Sequence, residues 1–273
     1  DEGNTQAPTM VAYYSNIDRK KMQQFYKVNG DDHVKTMQKF IEKAYNDGVL
    51  PVKDMHHLGA FMISDDMAVV NAGHVYGADC LTSRGLTKAT IEGRKQAETY
   101  IKFYRKYIGG FENAQYAATG SVLGIRETRR VIGAYILCYD DKLNYRRFDD
   151  AVGRYPGGPG SDIHASSPDQ KAYEKYYSLY TAIEETTIPE KDRFYEMPYR
   201  ALITNEVDNL LIAGRCASMD RKVNGQLRVM GPCFMMGQAA GTAAALCVKS
   251  GVAVKKLDVS ALRETLVAGG MML

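Results

Sequence analysis

Between Arg228 and Lys249 the chain runs for twenty residues, Val229 to Val248, without a single charge. A run of that length either crosses a bilayer or is shielded by protein. Its small-residue spacing, Gly237-x-x-x-Gly241, suits close helix packing in either setting. The composition favours the second: Gly and Ala dominate, Pro232 falls near the start, and Gln238 and Thr242 interrupt the run. The reading is a tightly packed buried helix, with a membrane anchor as the alternative. Just upstream, Val207 to Ala213 is a short apolar run ending in Gly214-Arg215, followed by a polar loop. Strand, glycine turn, loop and close-packed helix is the order in which a parallel α/β sheet ends.

The rest of the composition narrows the function classes. Thirty-five basic against 32 acidic residues leave a formal charge of +3. Such an excess is no footprint for nucleic acid or an acidic membrane surface, and neither is expected as a partner. Five dispersed cysteines (80, 138, 216, 233 and 247) form no C-x-x-C pair, so they read as reduced thiols in a cytoplasmic protein. The chain opens on Asp1 with no basic or apolar leader, which suggests that a segment has been removed upstream.

Local patterns give the remaining elements. Ile17–Val28 and 32–46 are expected as helices, the second from Val34, Met37, Ile41 and Ala44 at helical spacing. Residues 58–64 and 67–71 flank Asp65-Asp66 as a hairpin, and Thr87–Tyr107 reads as a long amphipathic helix. Tyr116–Val122 and Arg130–Tyr139 are strand candidates, 155–162 is a turn-rich loop, and Tyr195–Ile203 looks extended. Ala261–Leu266 closes the chain as a short helix. His56 and His57, beside the hairpin, read as surface residues.

No G-x-G-x-x-G follows a strand, and no G-x-x-x-x-G-K-[ST], H-E-x-x-H or G-x-S-x-G occurs. Two stretches remain. One is 208–218 with 228–241, where Pro232 in a first helical turn leaves neighbouring N–H groups to attract a carbonyl or an anion, or simply packs a helix. The other is Gly124-Ile125-Arg126-Glu127-Thr128-Arg129-Arg130, whose arginines cannot all face one way. One of them can enter a cleft while the others pair with Glu127, or all can form surface ion pairs.

Together with 3–10, 155–164 and Met197-Pro198-Tyr199-Arg200-x-Leu202, these stretches resemble FAD-dependent oxidoreductases of the glutathione-reductase-like superfamily. The nearest branch holds bacterial enzymes known only by that general activity. The resemblance implies a fold of class α/β and α+β: a mixed-sheet substrate-binding region over 1–205, then the last strand and helix of a Rossmann-like FAD-binding domain over 206–250. A helical tail fills 251–273. The family's opening strand, glycine turn and helix are absent from this sequence. The chain is therefore expected to be a fragment, inactive alone, whose partner is a missing N-terminal FAD-binding segment.

By the same resemblance, hydride passes between FAD and an unidentified small substrate, hydroxylated molecules being the class that arginines and tyrosines suit. His164 is the candidate acid–base, or else a loop histidine bound to backbone. Arg126, Arg200 and Arg228 are candidate anchors or structural ion pairs. Tyr199 is a candidate hydrogen-bond donor to substrate. Gly214, Arg215, Met230, Gly231, Cys233, Gly237 and Gln238 would line the flavin. The alternative function is a non-catalytic binding or assembly subunit that completes the sheet of a separate nucleotide-binding chain. A homo-oligomer is left open.

Overall fold

A computed structural model describes residues 5–30, 33–56, 59–157, 160–180 and 189–273. They fall into two compact units. An N-terminal unit takes Thr5–Ile125 with His164–Lys175, and a C-terminal unit takes Arg126–Ile163 with the chain from Tyr176 to Leu273.

The N-terminal unit is built on strands β1 (Ala12–Ser15), β2 (Ala60–Met62), β3 (Ala68–Val70) and β4 (Gln115–Thr119), ordered β2-β3-β1-β4 and antiparallel throughout. Alternation along β1 and β3 turns Ala12, Tyr14, Ala68 and Val70 inward. Helices α1 (Arg19–Asn29), α2 (His33–Asn46) and α3 (Ser83–Tyr107) complete the core. Met37, Ile41 and Ala44 of α2 recur on one face, as their spacing requires. Helix α3 buries Ala97, Tyr100, Ile101 and Tyr104 in the same core, and the Tyr14 hydroxyl donates to the Ala97 carbonyl at 2.6 Å. The starts of α1 and α3 are capped by Asp18 and Thr82, which accept from Lys21 N and Gly85 N.

The C-terminal unit carries α4 (Tyr139–Leu143), β5 (Ala151–Pro156), β6 (Phe194–Pro198), α6 (Arg221–Leu227), α7 (Met230–Ser250) and α8 (Val259–Ala268). Helix α5 (Gln170–Tyr180) spans the boundary between the units. Strands β5 and β6 form an antiparallel pair. Helix α7 packs on β5 and α8 through Pro232, Met236, Ala239, Ala243 and Cys247. Gly251 ends it in the left-handed region at φ 65°, where a side chain is strained.

The elements therefore follow the sequence patterns closely, with three corrections. The expected mixed sheet is two small antiparallel sheets, and parallel pairing among the described residues is confined to an isolated bridge between Leu137 and Met219. Val207–Ala213 is not a strand. It makes one antiparallel bridge, Leu211 to Ile203, and Ile212 N donates to Leu202 O. Arg130–Tyr139 is not a strand either. Its N–H groups go alternately to two segments, Val131 to Cys216 O and Leu137 to Ser218 O, Ala134 to Ile203 O and Tyr135 to Arg200 O, so no continuous ladder forms.

Helix α7 also departs from expectation. It is the one described helix long and apolar enough to cross a membrane, yet only 33% of its most apolar window is buried. It is covered on one side rather than enclosed. The functional division at 205 and 250 is a separate matter from these compact units.

Candidate functional site

In the C-terminal unit, the arginine-rich stretch resolves around an acid. Glu127 is buried and pairs with Arg130 at 3.1 Å and Arg221 at 3.0 Å. Arg126 beside it is buried as well. Arg228, at the end of α6, directs Nη2 to the carbonyl of Asp162 at 2.8 Å and to its carboxylate at 2.9 Å. Burial pulls the Arg228 guanidinium below its usual range, and Asp162 opposes that shift.

Arg200 and Tyr199 are held otherwise. Arg200 forks onto Asp150 through Nε and Nη2 at 2.9 and 3.0 Å, and its backbone N–H joins the same carboxylate. That geometry is a structural ion pair, the second of the two readings the sequence allows. The buried Tyr199 hydroxyl donates to the Val254 carbonyl at 2.9 Å, and burial raises its pKa. Engaged in this way, Tyr199 anchors the link between α7 and α8 rather than offering a donor to substrate.

The residues assigned to the flavin divide in two. Gly214 lies in the left-handed region at φ 79°, at the start of an exposed 3-10 turn with Arg215, and faces the Cys233 thiol. The Cys233 sulfur lies 3.3 Å from the Arg228 carbonyl, and burial pushes its thiol pKa up. Met230 and Gly231 form the exposed first turn of α7, where Val229 supplies no side-chain cap. Gly237 and Gln238 lie two turns further on, about 10–12 Å along the axis. Only a first turn has N–H groups to offer. Gln238 reaches the Gly269 carbonyl at 3.4 Å, and a Cβ at Gly237 would meet nothing. These two are not brought to the first-turn group.

A flavin ring edge alternates carbonyls and N–H groups. Beside the first turn of α7, Arg228 Nε and Asn224 Oδ1 are buried and have no hydrogen-bond partner among the described residues. Asn224 Nδ2 holds the Arg215 carbonyl at 3.0 Å. Unfilled donor and acceptor capacity beside an uncapped helix start fits such an edge. The sequence has no glycine turn to fit a pyrophosphate.

His164 belongs to the N-terminal unit, where sequence reasoning missed its company. Its Nδ1 lies 2.6 Å from His74 Nε2, and His74 Nδ1 lies 2.8 Å from Asp54 Oδ2. His56 stacks on the His164 ring at 4.1 Å and 12°. All four are buried, with His74 and His164 each 3% exposed, which corrects the expectation that His56 is a surface residue. His57 lies outside the described residues. The backbone N–H of His164 donates to Gln6 Oε1, and Tyr173 sets its ring edge-on to His56. Separations of 20 and 90 residues link this line, so no local motif could have found it. A carboxylate backing an imidazole that faces a second imidazole is an arrangement for holding and moving protons.

A family model described as FAD dependent oxidoreductase matches residues 1–266. The chain belongs to that family. Membership makes it a flavin oxidoreductase in general terms and implies FAD as the cofactor. No curated protein and no solved structure matches it.

Proposed function

We propose that the chain is the substrate-binding region and the returning helix of a flavin oxidoreductase, with a separate N-terminal segment supplying the nucleotide half of the FAD site. The reaction is hydride transfer between an unidentified small substrate, of the hydroxylated class, and FAD. One observation carries the reading: the family match covers residues 1–266, and so takes in both the histidine line and the start of α7. When bound, FAD supplies the two-electron chemistry. His164 takes or returns the substrate's hydroxyl proton. Gly214, Arg215 and the first turn of α7 hold the polar ring edge, with Arg228 and Asn224 behind them. The buried Arg126 is the remaining anchor candidate. The scattered free thiols support a reducing compartment, and the cytoplasm is the proposed one.

The test is the intact mass and flavin content of the native gene product. A product longer by roughly 100–200 residues, a domain's worth, and carrying FAD is the expected result. A native product that begins near Asp1 and binds no flavin overturns the reading.

A second reading, a non-catalytic assembly subunit bound to a separate nucleotide-binding chain, is favoured by the outer face of α7. Met230, Phe234 and Val248 are 76%, 72% and 84% exposed along one stripe with Gly237 and Gly241. Co-purification with a distinct nucleotide-binding chain would select it.

A further inference from the structure

We propose that Asp54 and His74 are positioning residues that fix His164 in one tautomer, with its proton on Nδ1 and its lone pair on Nε2. The consequence for catalysis rests on His164 being the acid–base, whereas the tautomer itself does not.

The argument starts at the carboxylate. Asp54 Oδ2 accepts from the backbone N–H of His74 at 3.0 Å and faces its ring Nδ1 at 2.8 Å. Oδ1 accepts from the backbone N–H of His56 at 3.2 Å and the Tyr76 hydroxyl at 3.0 Å. An aspartate that already accepts from two backbone N–H groups and a hydroxyl acts as the ionised acceptor. The proton between Asp54 and His74 is therefore on His74 Nδ1. In its neutral form the imidazole has one N–H, and with that proton on Nδ1 the His74 Nε2 is an acceptor. At 2.6 Å from His164 Nδ1, that nitrogen must face a proton. His164 supplies it, and its own Nε2 is the basic nitrogen.

The backbone keeps this direction from reversing. His74 is pinned on both sides, by Asp54 at its N–H and by Gln96 Nε2 at its carbonyl, 3.1 Å away. A Cβ on the preceding Gly73 would run into Gln96 and Tyr100, so that approach requires glycine. Asp54 closes a two-residue turn onto His56, which brings the carboxylate back over its own loop. His164 is tied to Gln6 through its N–H and held flat against His56. A base prepared in this way accepts a substrate proton on Nε2, and the resulting charge is offset through His74 by Asp54, the logic of an acid-backed histidine.

The experiment uses the full chain labelled with 15N-histidine, at about pH 8, above the ordinary imidazole range. Two-bond proton–nitrogen spectra report each ring's tautomer, and coupling across the N–H···N bond pairs the two rings directly. The expected result is one such coupling from a pyrrole-type His164 Nδ1 to a pyridine-type His74 Nε2, with His164 Nε2 also pyridine-type. In Asp54→Asn the coupling is lost and His164 shifts toward the Nε2–H form. A wild-type His164 protonated on Nε2, or a doubly protonated His74 donating to His164, overturns the proposal. So does a folded Asp54→Asn protein with the wild-type tautomer. Should that variant not fold, the wild-type coupling alone decides the direction. The measurement needs neither flavin nor substrate. Its failure leaves the flavin reading standing, and a native product without FAD leaves the tautomer standing.

Discussion

The two long helices of this protein, α3 and α7, obey opposite rules. Helix α3 is amphipathic: Ala89, Gly93, Ala97, Tyr100, Ile101, Phe103, Tyr104 and Tyr107 are buried, and charged residues such as Lys88, Glu92 and Lys95 face water. Its apolar content matches what covers it. Helix α7 has no charge before Lys249, yet its buried residues number only five: Pro232, Met236, Ala239, Ala243 and Cys247. The opposite stripe is apolar and open. Single exposed apolar residues need no explanation, but a continuous row on one helix does.

The sharpest way to break that contrast is to truncate a phenylalanine on each helix. Phe103 is fully buried among Tyr100, Tyr104 and Tyr107, so Phe103→Ala should cost about 3–5 kcal/mol. Phe234→Ala on the open stripe should stay within about 0.5 kcal/mol. Urea unfolding of the two variants checks both. Equal losses would mean that α7 is covered within this chain and that the contrast is false.

Glycines make the next test, at smaller scale. A Cβ at Gly93 would lie 2.8 Å from the Met10 Cβ, so Gly93→Ala overpacks a filled site and should cost about 1–3 kcal/mol. At Gly237 and Gly241 a Cβ meets nothing within 4 Å. Alanine there should stabilise this chain by about 0.5–1 kcal/mol per site through helix propensity. The same two changes should weaken the native flavin-loaded product if its nucleotide half closes on that stripe. Thermal unfolding of both forms would reveal the reversal. Stabilisation in both would show the glycines to be free of any partner.

The contrast also explains which parts could be read in advance. Helices α2, α3 and α7 and the hairpin of β2 and β3 were legible because each carries its period or turn locally. Glu127 as the partner of a neighbouring arginine was legible for the same reason, since Arg130 lies three residues away. The histidine line was not. Asp54, His74 and His164 come from three loops, and their pairing follows from how the N-terminal unit closes rather than from spacing. Val207–Ala213 failed for the opposite reason: its composition fits a strand, but a strand exists only where neighbours supply a ladder.

The smallest expected effect concerns charge at the helix ends. The Tyr107 hydroxyl, in the last residue of α3, donates to Asp47 Oδ2 at 2.6 Å, just past the end of α2. That hydrogen bond, the largest cause, holds the Asp47 carboxyl below its usual range against the opposing effect of burial, with smaller help from Lys43 and Lys106. Because the folded value lies below the unfolded one, this contribution is complete above the unfolded value, near 3.8, and is lost as pH falls through the folded value. Asp47→Asn keeps an acceptor for Tyr107 but carries no charge. Its urea midpoint should fall below wild type at about pH 6, and the two should converge as pH falls through the lowered folded value of Asp47. Helix α7 has no acidic residue between Val229 and Val248, so the small Phe234→Ala difference should not change over the same range. Parallel curves for Asp47→Asn and wild type would remove the carboxylate from the α3 contact and leave Tyr107 packed there by its ring alone.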